Sequence, residues 1–438
     1  MQKGLWKLSP ARIIALGFAS VILIGSGLLM LPCSVRSGVR LNYIDALYTA
    51  TSAVCVTGLC IVDTGTALTG FGQVVMVLLM QIGGLGVATV GAAVILLMGK
   101  RVGLKGRSLI REAGNLGSVH GAIRFVKVML ATTLTFELIG AALSFPVFVR
   151  DFPPLRALGI SLFHAIAAFN NAGFDNLGLS GEIGSNVSLI PYRDNVLLNL
   201  VTCGLVIFGG IGFLVIQEMR IKKFHWKKYS LHAKVVLTST AALLFGGTVL
   251  FKLSEDMSWM TAFFHSVSAR TAGFSTYSLG SFTNAGLLVM MVLMFIGASP
   301  GSTGGGVKTT TLFVLFKGIE SAATNKRERA FRYSLPKDAF RKAAVIAMLA
   351  FFLIIFSTYL LILMDPQVPF IDALFEMVSA FATVGLSTGI TPTLSFGSKI
   401  LSIFIMFIGR LGPLTVASLW YFTNGDRVNF PEGDIAIG

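Results

Sequence analysis

Residues 170–174 read Asn170-Asn171-Ala172-Gly173-Phe174, and a similar segment, Arg270-Thr271-Ala272-Gly273-Phe274, follows 100 residues later. More distant copies are Cys55-Val56-Thr57-Gly58-Leu59 and Ala382-Thr383-Val384-Gly385-Leu386. In every copy an aromatic residue stands ten positions before the glycine: Tyr48, Phe163, Phe263 and Phe375. Four copies in register favour an internal fourfold repeat over four unrelated turn or helix-packing glycines.

The composition around these segments is that of a membrane protein. Of the 438 residues, 54% are hydrophobic and only 13% are charged, which leaves too little polar surface to cover a soluble globule of this size. Several apolar stretches approach or exceed the ~20 residues that a helix needs to cross a bilayer. They include 13–31, 71–98, 196–216 and 343–364.

The net charge of +15 is concentrated in three loops, 100–127, 218–234 and 317–342, which hold 21 of the 35 basic residues. Each loop separates one block of apolar segments from the next. The positive-inside rule places these loops in the cytoplasm, together with Lys3, Lys7 and Arg12. The basic residues therefore indicate topology, and we expect no nucleic-acid partner because no soluble stretch is long enough to form a binding domain.

The basic loops and the repeated segments together predict an all-α membrane protein. We expect four repeats, at 1–99, 100–222, 223–325 (with an interrupted second helix) and 326–438 (with a C-terminal tail). Each repeat contains a spanning helix, a short helix, a glycine-bearing pore loop and a second spanning helix. Irregular backbone at membrane depth survives only where it is buried in protein or lines water. The eight spanning helices would therefore surround one pseudo-fourfold pore, with both termini in the cytoplasm.

The repeated loops carry neither a ring of acidic side chains nor a metal-ligand cluster, but each has a glycine after small or β-branched residues. Such a backbone can turn its carbonyl oxygens inward to replace the water shell of an ion, and Thr383-Val384-Gly385 matches the start of a potassium filter. The predicted potassium-binding filter comprises Val56, Thr57, Gly58, Asn171, Ala172, Gly173, Thr271, Ala272, Gly273, Thr383, Val384 and Gly385.

These segments, together with Gly409-Arg410-Leu411-Gly412-Pro413, resemble the membrane subunits of the Trk, Ktr and HKT superfamily of potassium transporters, most closely the Ktr type. The resemblance covers nearly the whole chain. It implies potassium uptake across the cytoplasmic (inner) membrane, with selectivity linked to glycine in all four loops. It also implies a homodimer on a KtrA-like ring of cytosolic nucleotide-binding subunits, with sodium as an activator. The loop 317–342 is a candidate for part of that contact.

Two further features bear on gating. The second spanning segment of the third repeat is interrupted by a run that no helix would carry for stability, and the resemblance makes it an intramembrane gate. Arg410 lies in an apolar helix, where a charge is costly and usually functional. We expect it to act as an electrostatic barrier below the filter; the alternative is an ion pair with Glu137. The predicted gate comprises Gly297, Ala298, Ser299, Pro300, Gly301, Ser302, Thr303, Gly304, Gly305, Gly306, Lys308 and Arg410.

Other functions fit the sequence less well. The glycine run followed by Lys308 imitates a phosphate-binding loop, but Val307 interrupts the pattern and no predicted strand precedes it, so we expect no nucleotide on this chain. The scattered carboxylates, among which Glu376 is expected to anchor its loop from behind, do not indicate an enzyme. The alternative is a sodium-coupled symporter with alternating access, although such transporters usually consist of inverted halves.

Overall fold

The computed structural model describes residues 9–114, 120–178, 188–223 and 225–418. Four long helices are apolar enough to cross a membrane, and most of their side chains face outward. They are α1 (Pro10–Leu29), α7 (Ala122–Phe148), α11 (Leu231–Ser254) and α15 (Ala339–Met364). One such helix opens each predicted repeat.

A short helix follows each long one. The four are α2 (Tyr43–Val54), α8 (Pro154–Phe169), α12 (Trp259–Ser268) and α16 (Phe370–Ala382). With 10 to 16 residues and a rise of about 1.5 Å per residue, none can cross ~30 Å of hydrocarbon. The prediction of four short helices ahead of the repeated glycines is confirmed.

The second apolar segment of each repeat starts from a capped N-terminus. The side chains of Thr69, Asn195, Thr283 and Ser395 each accept a hydrogen bond from the backbone three residues later, which satisfies one of the free N–H groups at a helix start. The helices that follow are α4 (Gly70–Leu85), α9 (Val196–Ile211), α13 (Asn284–Phe295) and α17 (Phe396–Leu411).

These second segments are broken in every repeat. After Gly86 and Gly212 the chain continues as α5 (Val87–Leu97) and α10 (Phe213–Lys222), bent by 103° and 99°. After Gly412 it continues as α18 (Pro413–Ser418). The expectation that 71–98 and 196–216 are continuous spans is therefore wrong. The three glycines have φ of +83°, +98° and +89°, with ψ of 135°, 139° and 137°. Almost only glycine adopts this combination, and it breaks the helix.

In the third repeat the break is longer. Residues 297–306, which we call the repeat-3 loop, separate α13 from α14 (Thr309–Thr324). By length and composition the described residues contain four spanning helices, or up to six if each bent pair is one span. The number of eight spans remains a prediction.

The remaining elements are small. Helices α3 (Thr64–Ala67) and α6 (Leu104–Ala113) lie in connecting segments. A hairpin of β1 (Arg329–Ala330) and β2 (Tyr333–Ser334) lies in the third basic loop, so the chain is predominantly rather than wholly helical. Lys3 and Lys7, residues 179–187 of the second repeat and the predicted tail at 419–438 lie outside the described residues.

Buried apolar side chains from all four repeats form one continuous cluster around the short helices. Its largest fully buried members include Tyr48, Phe169, Phe264 and Phe375, one from each short helix. The fourth repeat also contacts the first directly, because Lys399 on α17 forms a 2.8 Å ion pair with Asp45 on α2. The four repeats therefore pack around one centre, where the repeated glycines lie.

Candidate functional site: a ring of four glycines above an intramembrane loop

The four glycine segments share one backbone pattern. Val56, Asn171, Thr271 and Thr383 all have positive φ, between 52° and 77°, and the glycine two residues later is also positive in each segment. The residue between them is not among the positive-φ residues. This alternation is costly for non-glycine residues. The sequence repeat is thus matched by a repeated and strained backbone.

The glycines face one another in chain order. A methyl group placed on Gly58 would lie 3.1 Å from the Cα of Gly173, and one on Gly173 would lie 2.9 Å from the Cα of Gly273. One on Gly273 would lie 3.4 Å from the Cα of Gly385, and one on Gly385 would return to within 2.7 Å of the Cα of Gly58. We call residues 56–58, 171–173, 271–273 and 383–385 the glycine ring. No side chain fits at its four glycines without displacing a neighbouring segment.

The glycine ring is enclosed by protein. The eight residues that accompany the glycines are all 0% exposed, as irregular backbone at membrane depth requires. Each short helix ends within five residues of its glycine, so its C-terminal end, which carries partial negative charge, lies beside the ring. The surroundings of the ring therefore favour a cation.

Side chains behind the ring fix two of its segments. The hydroxyl oxygens of Ser52 and Ser379 accept hydrogen bonds from the backbone N–H of Gly58 (3.0 Å) and Gly385 (3.1 Å). The fully buried Glu376 accepts from the hydroxyls of Ser387 (2.8 Å) and Thr391 (2.6 Å), which follow the fourth glycine. These contacts agree with the expectation that Glu376 anchors its loop.

A second set of repeated glycines has a role that the sequence did not reveal. Methyl groups placed on Gly83, Gly209 and Gly409 would lie 2.8, 3.0 and 2.8 Å from backbone carbonyl carbons at the end of a short helix. Those carbonyls belong to Val54, Phe169 and Phe381. These glycines let the second helix of their repeat approach the short helix that carries the ring. Their recurrence was visible in the sequence, but their contacts were not.

The repeat-3 loop lies directly against the glycine ring. Methyl groups placed on Gly304 and Gly305 would lie 3.0 and 3.2 Å from the Cβ atoms of Thr271 and Thr383. The backbone N–H of Ser299 donates to the carbonyl of Gly210 (3.0 Å). These contacts bring the predicted gate and the predicted filter together.

Further hydrogen bonds secure the repeat-3 loop to the second repeat and to α14. The hydroxyl of Thr303 lies within hydrogen-bond distance of the carbonyls of Phe169 (3.2 Å) and Gly209 (3.1 Å). The hydroxyls of Ser299 and Thr309 are 3.0 Å apart. Thr303, Ser299 and Thr309 are all fully buried. These hydrogen bonds therefore fix the position of the loop against the second repeat and α14.

Two basic residues bind backbone oxygens of this region. The amine of Lys308 donates to the carbonyls of Gly304 (2.7 Å) and Gly305 (3.2 Å). The guanidinium of Arg410 donates from Nη1 to the carbonyl of Thr303, and from Nη2 to those of Gly83 and Gly84. Arg410 thus connects the fourth repeat to the loop and to the first repeat. Arg410 and Glu137 form no ion pair in the described part of the chain. The carboxylate of Glu137 instead accepts hydrogen bonds from Gln81 and Asn170.

Below the loop is a cavity of about 360 Å³. Pro300, Ser302, Lys308 and Arg410 lie along it, together with Glu112 at the end of α6. Its lining also includes Ala113 and Gly114, which belong to the first basic loop. Within the described ranges, no group of three His, Cys, Asp or Glu side chains is placed to hold a metal ion.

Comparisons with known proteins show the family of the chain. The family model for TrkH, described as a cation transport protein, matches residues 11–240 and 231–422. The Ktr system potassium uptake protein B of Bacillus subtilis is 38% identical over 99% of this chain and 97% of its own length. The potassium/sodium uptake protein NtpJ of Enterococcus hirae is 37% identical over 99% of this chain and 98% of its own.

The fold also matches a solved structure. The potassium transporter TrkH from Vibrio parahaemolyticus superposes with a TM-score of 0.72, covering 95% of this chain and 86% of its own, at 18% identity. At that identity the match shows the fold alone. The family model and the relatives of similar length carry the assignment further, and they agree with the resemblance of the four glycine loops. The chain belongs to the TrkH family of cation transport proteins.

Proposed function

We propose that this protein takes up potassium across the cytoplasmic membrane, with the glycine ring as its selectivity filter. The observation that carries the proposal is the closure of four strained segments into one ring, each glycine against the next. Converging backbone carbonyls can replace the water shell of a potassium ion. The relatives named for potassium uptake, which match along nearly the whole chain, support the same ion.

The gate in this proposal is the repeat-3 loop. Its contacts with Thr271 and Thr383 of the ring support this role, as does the positive charge that Lys308 and Arg410 add beside it. A cation leaving the filter would meet both the loop and these charges. Opening requires the loop to move away, which breaks the hydrogen bond between Arg410 and Thr303.

The proposed topology has eight spans in four repeats, 1–99, 100–222, 223–325 and 326–438, with both termini in the cytoplasm. The four long helices supply one span per repeat. The broken second segments supply the others, since irregular backbone is tolerated where it lines a pathway. The basic loops support the cytoplasmic placement of the intervening segments.

We further propose that the protein is the membrane subunit of a Ktr-type system. This assignment brings a homodimer, a KtrA-like cytosolic ring that carries the nucleotide, and activation by sodium. The similarity to protein B of the Ktr system of Bacillus subtilis supports it. The exposed residues of the loop 317–342, among them Arg327 and Arg329, are the candidate contact with the ring.

Flux measurements in liposomes test the proposed function. Purified protein should carry rubidium in competition with potassium, with little sodium flux and with a rate that follows the membrane potential. The alternative, a sodium-coupled symporter, would give saturable potassium flux in fixed ratio to sodium. That result, or equal fluxes of potassium and sodium, would contradict the proposal.

A further inference from the structure

Glu137 is a buried carboxylate in the middle of α7, with 6% of its surface exposed. An acidic side chain inside a spanning helix is costly and usually functional. No ion pair of Glu137 occurs among the described residues. Its hydrogen-bond partners are instead two neutral side-chain amides.

The amides belong to Gln81 on α4 and Asn170 at the end of α8. Gln81 Nε2 donates to one carboxylate oxygen of Glu137 (3.3 Å), and Asn170 Nδ2 donates to the other (3.0 Å). Asn170 Nδ2 also lies 2.7 Å from Gln81 Oε1. The three side chains form a closed triangle among three helices. Asn170 is fully buried, where an unmet hydrogen bond is expensive.

This triangle adjoins both the second segment of the glycine ring and the backbone that binds Arg410. Asn170 immediately precedes Asn171, the first residue of the second segment of the glycine ring. A methyl group placed on Gly84 would lie 2.7 Å from the amide carbon of Asn170. The carbonyl of Gly84 in turn accepts from Arg410 Nη2 at 3.3 Å. Asn170 of the triangle therefore packs against Gly84, and Gly84 binds the same arginine that binds the repeat-3 loop.

The second repeat is the one in which such a triangle can form. The residues that match Asn170 in the other three loops are Cys55, Arg270 and Ala382, and none of them carries an amide. The triangle therefore belongs to the second repeat, whereas the backbone conformation of the ring is shared by all four repeats.

We propose that Glu137 is a positioning residue that holds the second filter segment and the Arg410 anchor in register with each other. It fixes Asn170, and through Asn170 both the start of residues 171–173 and the backbone of Gly84. The inference rests on the proposed function and goes beyond it: one buried carboxylate couples ion selectivity to closure of the gate.

Three variants separate this role from a merely structural one. Glu137→Ala removes the acceptor, and Glu137→Gln keeps one carbonyl acceptor and the side-chain shape. The matched control is Thr133→Val, one helical turn earlier on α7; Thr133 is 1% exposed and its hydroxyl has no partner. The readout is the ratio of rubidium to sodium flux in liposomes, with the intact protein.

We expect Glu137→Ala to lower this ratio about tenfold, the order expected when a buried hydrogen-bonded charge is removed. Glu137→Gln should stay within about threefold of the wild type, since one acceptor remains. In combination with Arg410→Ala, Glu137→Ala should have a non-additive effect on the flux rate, because the two side chains act through the same backbone. If Glu137→Ala fails to fold, Gln81→Leu removes one side of the triangle and is expected to lower the ratio in the same direction.

The outcomes are distinguishable. A wild-type protein without rubidium selectivity would overturn the proposed function itself. A selective wild type in which Glu137→Ala, or Gln81→Leu in its place, matches Thr133→Val would overturn the positioning role alone. Additive effects of Glu137→Ala and Arg410→Ala would overturn the coupling to the gate. If Glu137→Gln lost as much selectivity as Glu137→Ala, the charge of Glu137 itself, and not its hydrogen bonds, would set the selectivity. That result would also contradict the proposal.

Discussion

The glycine ring repeats one backbone conformation four times, whereas the layer beneath it differs from repeat to repeat. In the ring, each segment combines a positive-φ residue with a glycine two positions later. In the layer below, the first, second and fourth repeats have a break at Gly86, Gly212 or Gly412, whereas the third has the ten-residue loop. The fourth has Arg410 at the position that Gly84 and Gly210 occupy in the first two repeats.

The difference follows from what each layer has to do. An ion that loses its water shell needs oxygens on all sides, so four equivalent segments serve it better than one specialised segment. A gate needs only one element that can adopt two conformations. Four identical elements would have to change conformation together to open one path. Under the proposed function, the fourfold repeat is therefore kept at the filter and lost at the gate.

The largest effect is expected for a change that breaks the symmetry of the ring. In Gly385→Ala the new methyl group would collide with the carbonyl of Thr57 and lie 2.7 Å from the Cα of Gly58. The positive φ of 89° adds strain. Rubidium uptake should fall by about 100-fold or more, in line with a misplacement of about 1 Å at a functional site.

The matched control is Gly204→Ala, in the middle of α9, where an added methyl group meets nothing within 4 Å. Its uptake should equal that of the wild type. Full uptake by Gly385→Ala in well-folded protein would show that the ring is not the ion path.

Removal of Arg410 should have a smaller and opposite effect. Arg410→Ala deletes the hydrogen bonds to Thr303, Gly83 and Gly84 and the positive charge below the ring. We expect uptake to rise about tenfold, which corresponds to ~1.4 kcal/mol and is within the range for one charge-assisted hydrogen bond. The uptake of Arg410→Lys should lie between those of the wild type and Arg410→Ala, because lysine keeps the charge but lacks the planar guanidinium group that binds several carbonyls at once. Unchanged or abolished uptake in folded Arg410→Ala would contradict the barrier role.

A third change tests how firmly the ring is held from behind. Glu376→Ala removes the carboxylate that accepts from the hydroxyls of Ser387 and Thr391. Ser387→Ala removes one of these two bonds, together with the contacts of Ser387 to Thr391 and to the backbone N–H of Gly389. We expect the flux ratio of rubidium to sodium to fall about fivefold in Glu376→Ala and about twofold in Ser387→Ala. Equal ratios in both variants and the wild type would show that Glu376 does not support selectivity.

The smallest effect concerns stability alone. Asp45 and Lys399 join the first repeat to the fourth through side chains that are 12% and 13% exposed. Asp45→Asn or Lys399→Met leaves one charge unpaired and should cost about 1–2 kcal/mol, less than for a fully buried pair. The melting temperature of the purified protein should fall by about 2 °C. The double variant should lose less than the sum of the single losses; additive losses would show that the pair does not hold the repeats together.

Much of the ring could be predicted from sequence because its elements are residue types at fixed spacing. Gly58, Gly173, Gly273 and Gly385 each follow an aromatic residue at the same distance, and the structure brings all four together. The short helices were predictable for a related reason: their apolar runs are too short to cross a bilayer.

The breaks after Gly86, Gly212 and Gly412 were not predicted, because hydropathy does not depend on backbone dihedral angles. The interruption in the third repeat was predicted, from its run of glycine, serine and proline residues. The stretch around Gly86 is apolar throughout, and only the conformation of that glycine marks the bend. The contacts of Arg410 were missed for a similar reason. Its partners are backbone carbonyls, which every residue carries, so a search for an acidic partner led to Glu137.

The small hairpin was missed because its turn lacks the usual signal. Its central residues, Phe331 and Arg332, have φ of +47° and +71°, where asparagine and glycine are the preferred residues. From its sequence, such a loop is predicted to have no regular secondary structure. The ring of Phe331 lies 6.3 Å from that of Trp226, a residue distant in sequence.

The central claim is that backbone oxygens of the glycine ring bind potassium. A crystal structure with rubidium in place of potassium, with the anomalous signal of rubidium recorded, tests it most directly. The account predicts a peak on the axis of the ring, encircled by carbonyls of residues 56–58, 171–173, 271–273 and 383–385. Potassium should displace the peak and sodium should not. A ring without a rubidium peak, or a peak only elsewhere in the protein, would contradict the account.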